Sequence, residues 1–524
     1  MLGAMLFFGS CEDYLDETAD KSGNAYIYHI DQLYGLTGQP NLYLGSPNAN
    51  AAPVQGGSFM QEQYLMGDGV SMSPYFYSQG MPMCFMQVSY AYPLFGWGAY
   101  TLKNDNMVSD MTWKLAWDRI YTFNTVLENM DKVMQTTPAI RNQVEGEARF
   151  GRAFFHFMLL TQYSQWKADA PGIGYREDTN PNGIPARETV QYTLDKIYED
   201  LRLAEEALTR AGRTAFDYEF NTRPTVPTVQ ALRARIALYR GDYATALINA
   251  ENALAGNGEL INVETDPNNQ LTPLYPIEFL KADGTPDESK TKFISWIAPM
   301  LGSLYNQTTV QFRELYLPCI SGDISTWGIP LSESFYNLFT NKVNDARWTH
   351  FYDNGQAFMW AFMNGVTYAD QQNLNPWEMY SHFHFAINLG PAQLVGMTTA
   401  EMYLTKAECL ARKGQTSEAA EVLKTLRRTR FTDIAAAENI GGSIQEVLDE
   451  RSREMGPFWR FFEAKRLNGA ENAGMEIRRK ILSNPADPTS VTEIVIPAND
   501  PRWALPFYEM ERQLMGWEQN EGWR

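Results

Sequence analysis

The sequence predicts a mainly α-helical protein in which paired helices build a scaffold and long, aromatic-rich excursions with short strands interrupt it. Three observations carry this prediction. Apolar residues recur at steps of three and four in several long stretches, two of these stretches resemble each other, and the aromatic residues crowd into segments without that period. The 524 residues hold 43 Lys+Arg against 62 Asp+Glu, a formal charge of −19, and 44 % are hydrophobic. That apolar content supports a large core and excludes wholesale disorder. The acidic balance excludes a general nucleic-acid binder, which needs a basic face to displace counterions. No basic cluster suits docking on anionic lipid.

The chain opens with an apolar run, MLGAMLFF, followed by Gly9, Ser10 and Cys11. The run is too short to span a bilayer, and no later stretch reaches 18 apolar residues. Its form is that of a bacterial lipobox, in which an export signal is cut and the cysteine thiol acylated. Residues 1–10 therefore read as the remnant of a signal peptide and Cys11 as the lipidation site, the alternative being a free N-terminal cysteine. No Lys or Arg precedes the run, which points to a start codon placed too late. Cys84, Cys319 and Cys409 lack CxxC spacing and read as small buried hydrophobes, not as a disulfide framework or a zinc site.

A helical stripe of Trp113, Trp117, Ile120, Asn124, Leu127, Met130 and Met134 comes first. Pro138 breaks it, and a second helix is expected from near Val144, with Ala148, Gly151, Phe154 and Met158 on one face. Leu194, Ile197, Leu201, Ala204 and Leu208 mark a third, and its partner is expected after Pro227 with Thr228 as N-cap. The stretch from Ala231 matches the stretch from Ala400. Aligned on Gly241 and Gly414, Ala234 pairs with Ala407, Ala237 with Leu410 and Ala246 with Ala419. Small residues at those offsets let two helices approach, with glycine at the turn, which is the pattern of tetratricopeptide-like pairs. Helical repeat units are thus expected over about 106–255 and 397–470, and loop-rich insertions over about 56–105 and 256–396.

Phe59 to Tyr100 holds 11 aromatics in 42 residues and Trp348 to Phe385 holds 11 in 38. Neither has a sustained helical period, and His382-Phe383-His384-Phe385 alternates as a half-buried strand does. Long loops of this kind are usually functional. No phosphate loop, HExxH, GxSxG or GxGxxG is present, so the reading is not an enzyme and needs no cofactor. His350, His382 and His384 read as structural, and no metal site is expected. Trp and Tyr rings suit stacking on the apolar face of a sugar or gripping a peptide, with Asn and Asp beside them to select hydroxyls. A single aromatic is as a rule a core residue; it is the clustering that points to recognition. The charged run from Glu450 to Arg466 reads as a solvated or inter-helix ion-pair face.

Five stretches, in order, carry a family resemblance: Ser10-Cys11-Glu12-Asp13-Tyr14-Leu15-Asp16; EARFGRAFFHFMLLTQY from Glu147; VPTVQALRARIALYRGDYATAL from Val226; AEMYLTKAECLARKG from Ala400 with ERSREMGPFWRFFEAKR from Glu450; and LPFYEMERQLMGWEQNEGW from Leu505. The chain resembles the SusD/RagB-like family of nutrient-binding outer-membrane lipoproteins of Bacteroidetes-type bacteria. It departs at Pro457-Phe458, where an acid–glycine pair is usual, at Glu463, where aspartate is usual, and at Glu521, where proline is common. These departures mark a divergent branch.

The resemblance implies one SusD-like domain over 11–524 with four tetratricopeptide-like units and a variable ligand-binding part. It implies a lipid-anchored protein facing outward from the cell outer membrane, acting as a lid on a SusC-like TonB-dependent transporter. The ligand would be an oligosaccharide, or a peptide in the RagB-like branch. By location and chemistry the candidate ligand-binding residues are Tyr92, Trp97, Tyr100 and Trp327, whereas Glu147, Arg149 and Arg152 read as scaffold packing. The competing class is an interaction scaffold whose helical groove holds a partner protein.

Overall fold

The computed structural model describes residues 27–39, 41–44, 65–71, 95–98, 111–217, 222–265, 314, 316–317, 320–322, 331–353, 381–382, 392–484, 487 and 489–523. These residues are mainly helical, and the strands among them form three two-stranded antiparallel pairs. Cys11, Tyr92, Tyr100, Trp327, His384 and the expected signal remnant lie outside the described residues. Among the described residues no helix is long and apolar enough to cross a membrane.

Two short helices, α1 (Ile30–Thr37) and α2 (Asn41–Leu44), precede the first long pair, α3 (Met111–Asn129) and α4 (Pro138–Tyr163). The expected stripe of α3 holds at Trp113, Ile120, Asn124 and Met130, all buried. It fails at Met134, which lies beyond the helix end and is 66 % exposed because its backbone is diverted into bonds with Tyr28 and Ile30. Pro138 does not merely end one helix. It opens the next, since a proline in the first turn gives up an N–H that has no helical partner anyway, and Thr137 caps the helix by accepting from the Ile140 amide at 3.2 Å. Gly151 is required by closeness: a Cβ there would stand 2.2 Å from Phe123 Cζ on α3.

Helix α5 (Val190–Arg210) packs on α4 with its whole predicted stripe buried. In α6 (Val226–Tyr239) Thr225, not Thr228, is the N-cap. Thr228 sits in the first turn, its hydroxyl accepting from the Thr225 amide at 3.1 Å. The sequence repeat is a structural one. Helices α6 and α7 (Tyr243–Gly256) turn at Gly241, with φ 73°, after α8 (Glu333–Asn337) and α9 (Ala346–Phe351) the chain repeats the motif in α10 (Thr399–Arg412) and α11 (Thr416–Arg427), turning at Gly414, with φ 78°. Ala237, Ala246, Ala407, Leu410 and Ala419 share one apolar cluster that joins the two hairpins.

Strands β1 (Ile320–Gly322) and β2 (Tyr352–Asp353) pair with β4 (Ala392–Leu394) and β3 (Ser381–His382), so part of the strand expected at 382–385 is present. Helix α12 (Ile434–Glu438) leads to α13 (Ile444–Met455) and α14 (Arg460–Glu471). After them β5 (Ile477–Leu482) pairs with β6 (Val491–Ile496), and α15 (Glu509–Met515) completes the chain.

The charged run is an inter-helix ion-pair network, and it is buried rather than solvated. One chain of pairs runs Arg235–Glu401–Arg451–Glu463–Arg466–Glu408–Arg412. A second joins Glu314, Arg430, Glu454, Arg347 and Glu450, with Asp345, Arg427 and Arg453 attached. Such pairs are costly to desolvate, and cutting out one member strands the other in low dielectric. Burial raises the Glu463 carboxyl pKa, but Arg451 and Arg466 outweigh it and hold the group at about 2.

The last turn of α4 leaves carbonyls without helical partners. Lys465 Nζ donates to Thr161 O at 2.5 Å, the Leu505 amide to Gln162 O at 2.9 Å, and Asn520 Nδ2 to Tyr163 O at 2.8 Å. A cation belongs at a helix C-terminus. Burial pushes the Lys465 pKa well below its ordinary value.

Candidate functional site

The two loop-rich insertions, about 56–105 and 256–396, touch each other among the described residues. Val70, at the root of the first, forms an antiparallel bridge with Leu331 of the second. The Ser332 amide donates to Gly69 O at 3.0 Å and Ser71 Oγ to Leu331 O at 2.8 Å. Leu331 in turn belongs to a separate apolar cluster with Val263, Phe335, Phe339, Trp348 and Tyr352. Within it Lys342 Nζ lies 3.9 Å from the Tyr336 ring centroid and 4.9 Å from that of Trp348.

The root of the first excursion is seated on the C-terminal third. Gly69 lies against Pro457, where a Cβ would approach within 2.4 Å. Arg460 holds Asp68 bidentately, both N···O distances being 2.7 Å. Burial raises the Asp68 pKa, and the Arg460 charge and hydrogen bonds outweigh it, so the carboxyl stays below its usual range. Arg479 reaches the carbonyls of Leu65, Gly67 and Phe95, the last at 2.8 Å. Arg502, itself held by Asp500, donates to Trp97 O.

Trp97 was a candidate ligand-facing ring, and the structure corrects that reading. Its side chain is fully buried, edge-on to Trp503 at 5.1 Å and beside Phe461 at 6.0 Å, and its indole N–H donates to Met66 O at 3.1 Å. Its φ of 51° is left-handed, a conformation that a bulky residue holds only when its surroundings over-determine it. Trp97 therefore fastens the excursion to the core. Of the other candidates, Tyr92, Tyr100 and Trp327 are outside the described residues.

The second excursion is anchored by the same means. Arg235 donates to Val395 O at 2.7 Å and Gly396 O at 2.9 Å, Arg430 to Ile261 O at 2.8 Å and Arg453 to Leu338 O at 2.9 Å. Glu147, Arg149 and Arg152 are scaffold residues, as their pattern suggests. Glu147 accepts from Thr37 and Arg223, and both arginines pair with Asp200. Among the described residues no three His, Cys, Asp or Glu side chains are gathered to hold a metal ion. The arginine anchors escaped the sequence reading, although one signal for Arg479 exists. In a strand of period two it falls on the same face as Ile477 and Ile481, and all three are buried.

Residues 68–238 match a family described as starch-binding associating with outer membrane, and residues 389–523 match the SusD family. The chain belongs to the SusD/RagB-like family. No curated protein matches it. Its fold is shared with a SusD superfamily protein from Bacteroides thetaiotaomicron, at 18 % identity over 94 % of this chain and 99 % of that one, with a TM-score of 0.58. A laminarin binding SusD-like protein superposes at 0.55, with 13 % identity over 95 % of this chain and all of the other. Surface glycan-binding protein A from Bacteroides fluxus also superposes at 0.55, with 17 % identity over 94 % and 99 % of the two chains.

Proposed function

We infer that this chain is a surface glycan-binding lipoprotein. It captures oligosaccharides and passes them to a SusC-like TonB-dependent transporter, and it is held at the cell outer membrane, facing outward, by acyl chains on Cys11. It performs no chemistry on the ligand. The observation that carries the reading is the meeting of the two loop-rich insertions at Val70 and Leu331, in a chain of this family. The names of the laminarin binding and surface glycan-binding neighbours support a glycan over a peptide. Rings on adjacent excursions give several weak stacking contacts, and tethering ligand, binder and barrel together raises effective concentration enough for weak contacts to serve.

Calorimetric titration of the purified chain with maltoheptaose, laminarihexaose and xylohexaose tests the ligand class. Binding of at least one is expected; silence toward all three with heat released by a peptide pool would overturn the glycan reading. Incorporation of labelled palmitate, lost in Cys11→Ser, tests the anchor. Co-purification of a TonB-dependent barrel from native membranes tests the partner.

A further inference from the structure

We propose that Asn182, in the loop between α4 and α5, is a modification site, where the folded protein loses its side-chain amide and gains a carboxylate. The step is a ring closure onto the next residue. The Gly183 nitrogen bonds to Asn182 Cγ, the Cγ–Nδ2 bond breaks, and the proton from Gly183 leaves with Nδ2 as ammonia. Water, the one co-reactant, then opens the five-membered imide. Cleavage of the bond to Cγ gives aspartate on an unchanged main chain. Cleavage of the bond to the main-chain carbonyl carbon gives isoaspartate, with the chain rerouted through Cβ and Cγ. Either product adds one negative charge, beside the exposed Glu177 and Asp178. Glycine favours the closure because no Cβ crowds the attacking nitrogen.

Three Asn-Gly pairs occur among the described residues, and the fold treats them differently. Asn257 is the C-cap of α7 and 4 % exposed, its Oδ1 accepting from the Glu259 amide at 3.3 Å. Asn468 lies inside α14, and its amide is closed on both sides. Nδ2 donates to Met475 O at 2.9 Å and Oδ1 accepts from the Met475 amide at 2.7 Å. Gly469 behind it is wedged so tightly that a Cβ would stand 2.3 Å from Trp166 O. Neither side chain can swing onto the following nitrogen without local unfolding. Asn182 is exposed instead, and its side-chain amide makes no hydrogen bond among the described residues. It occupies a turn over 180–183, with Pro181 before it and the Gly183 amide donating to Asn180 O at 3.0 Å. To present its nitrogen, Gly183 has to give up that one surface bond. The rest of the loop is held upstream, where Glu128 accepts from the Thr179 amide at 2.8 Å and Asn124 donates to Asp178 O at 3.0 Å.

Peptide mass mapping of the full chain, kept folded at pH 8 and in parallel unfolded in guanidinium chloride, tests the proposal. Unfolded, all three pairs should gain one dalton at similar rates. Folded, Asn182 should keep its rate within about tenfold, while Asn257 and Asn468 slow by more than about a hundredfold. A later-eluting form on anion exchange should grow in step with the Asn182 product. Asn182→Gln, which would have to close a six-membered ring, should abolish both signals. Gly183→Ala should slow them severalfold; Gly183 is not left-handed, and a Cβ there would come no closer than 3.3 Å to Asn180, so the turn accepts it. An Asn182 peptide that gains mass in guanidinium but stays unchanged in the folded protein would overturn the proposal. So would equal gains at all three pairs in the folded protein, or a gain that persists in Asn182→Gln.

Discussion

Arg152 and Asp200 face each other across the interface of α4 and α5, Nε to Oδ2 at 2.6 Å and Nη2 to Oδ1 at 2.8 Å, with both side chains buried. Tyr175 and Arg149 bond the same carboxylate, and Asn124 accepts from Arg152 at 3.1 Å. Burial raises the Asp200 pKa, but Arg152 outweighs it and keeps the acid charged. Asp200→Asn leaves the Arg152 charge buried without its counter-ion, so a loss of about 3–5 kcal/mol is expected in urea unfolding at pH 7. Asp195→Asn, on the exposed side of the same helix, should leave the midpoint unchanged.

Acid should unfold the protein partly through His156. The ring is buried and stacked on Tyr175 at 3.9 Å, with Nδ1 beside Arg152 O and Nε2 accepting from the Arg176 amide. Burial, first, and the nearby Arg152 charge push its pKa down to about 3. The unfolded chain takes up this proton from about pH 6.5 downward and the folded one only near 3. Stability from neutral His156 is therefore complete above about 6.5 and lost progressively as pH falls toward 3, by up to roughly 4–5 kcal/mol. Glu463, held at about 2, adds a loss in the same direction below its ordinary value. Melting temperatures of His156→Gln between pH 7 and 4 should fall less steeply than those of wild type; parallel curves would count against this account.

The two repeat turns should respond differently to alanine. Gly414 is left-handed with open space around its absent Cβ, so Gly414→Ala should cost about 1–2 kcal/mol from backbone strain alone. Gly241 is equally left-handed, but a Cβ there would also meet Ala470 Cβ at 3.1 Å. Gly241→Ala should be the more damaging of the two by thermal melt.

Cys409 should be chemically silent in the folded protein. Its thiol is buried in α10, and burial with the adjacent Glu408 charge pushes its pKa up to about 12. Iodoacetamide at pH 8 should leave it unmodified until urea is added, as peptide mass mapping would show.

The long helices are legible in the sequence because an apolar stripe is written locally, and every residue of the Leu194–Leu208 stripe is buried. Their ends are less so: whether Pro138 stops a helix or starts one depends on Thr137, and whether Thr228 caps depends on Thr225. The local part of the ion network is legible, as in Glu463–Arg466 at i, i+3. Its long-range part, such as Arg430–Glu314 or Arg235–Glu401, leaves no spacing to read. Trp97 shows the limit for the site. In a run of rings and glycines nothing local marks the ring that will be covered, and its cover, Phe461 and Trp503, comes from the other end of the chain.

The arginines at the excursion roots end on main-chain oxygens: Leu65, Gly67, Phe95 and Trp97 for one, Val395, Gly396, Ile261 and Leu338 for the other. A carbonyl is the same acceptor whatever residue bears it. Mooring of this kind is indifferent to the identity of the moored residue, so the intervening stretch can exchange its whole cast of side chains while the hull stays as it was.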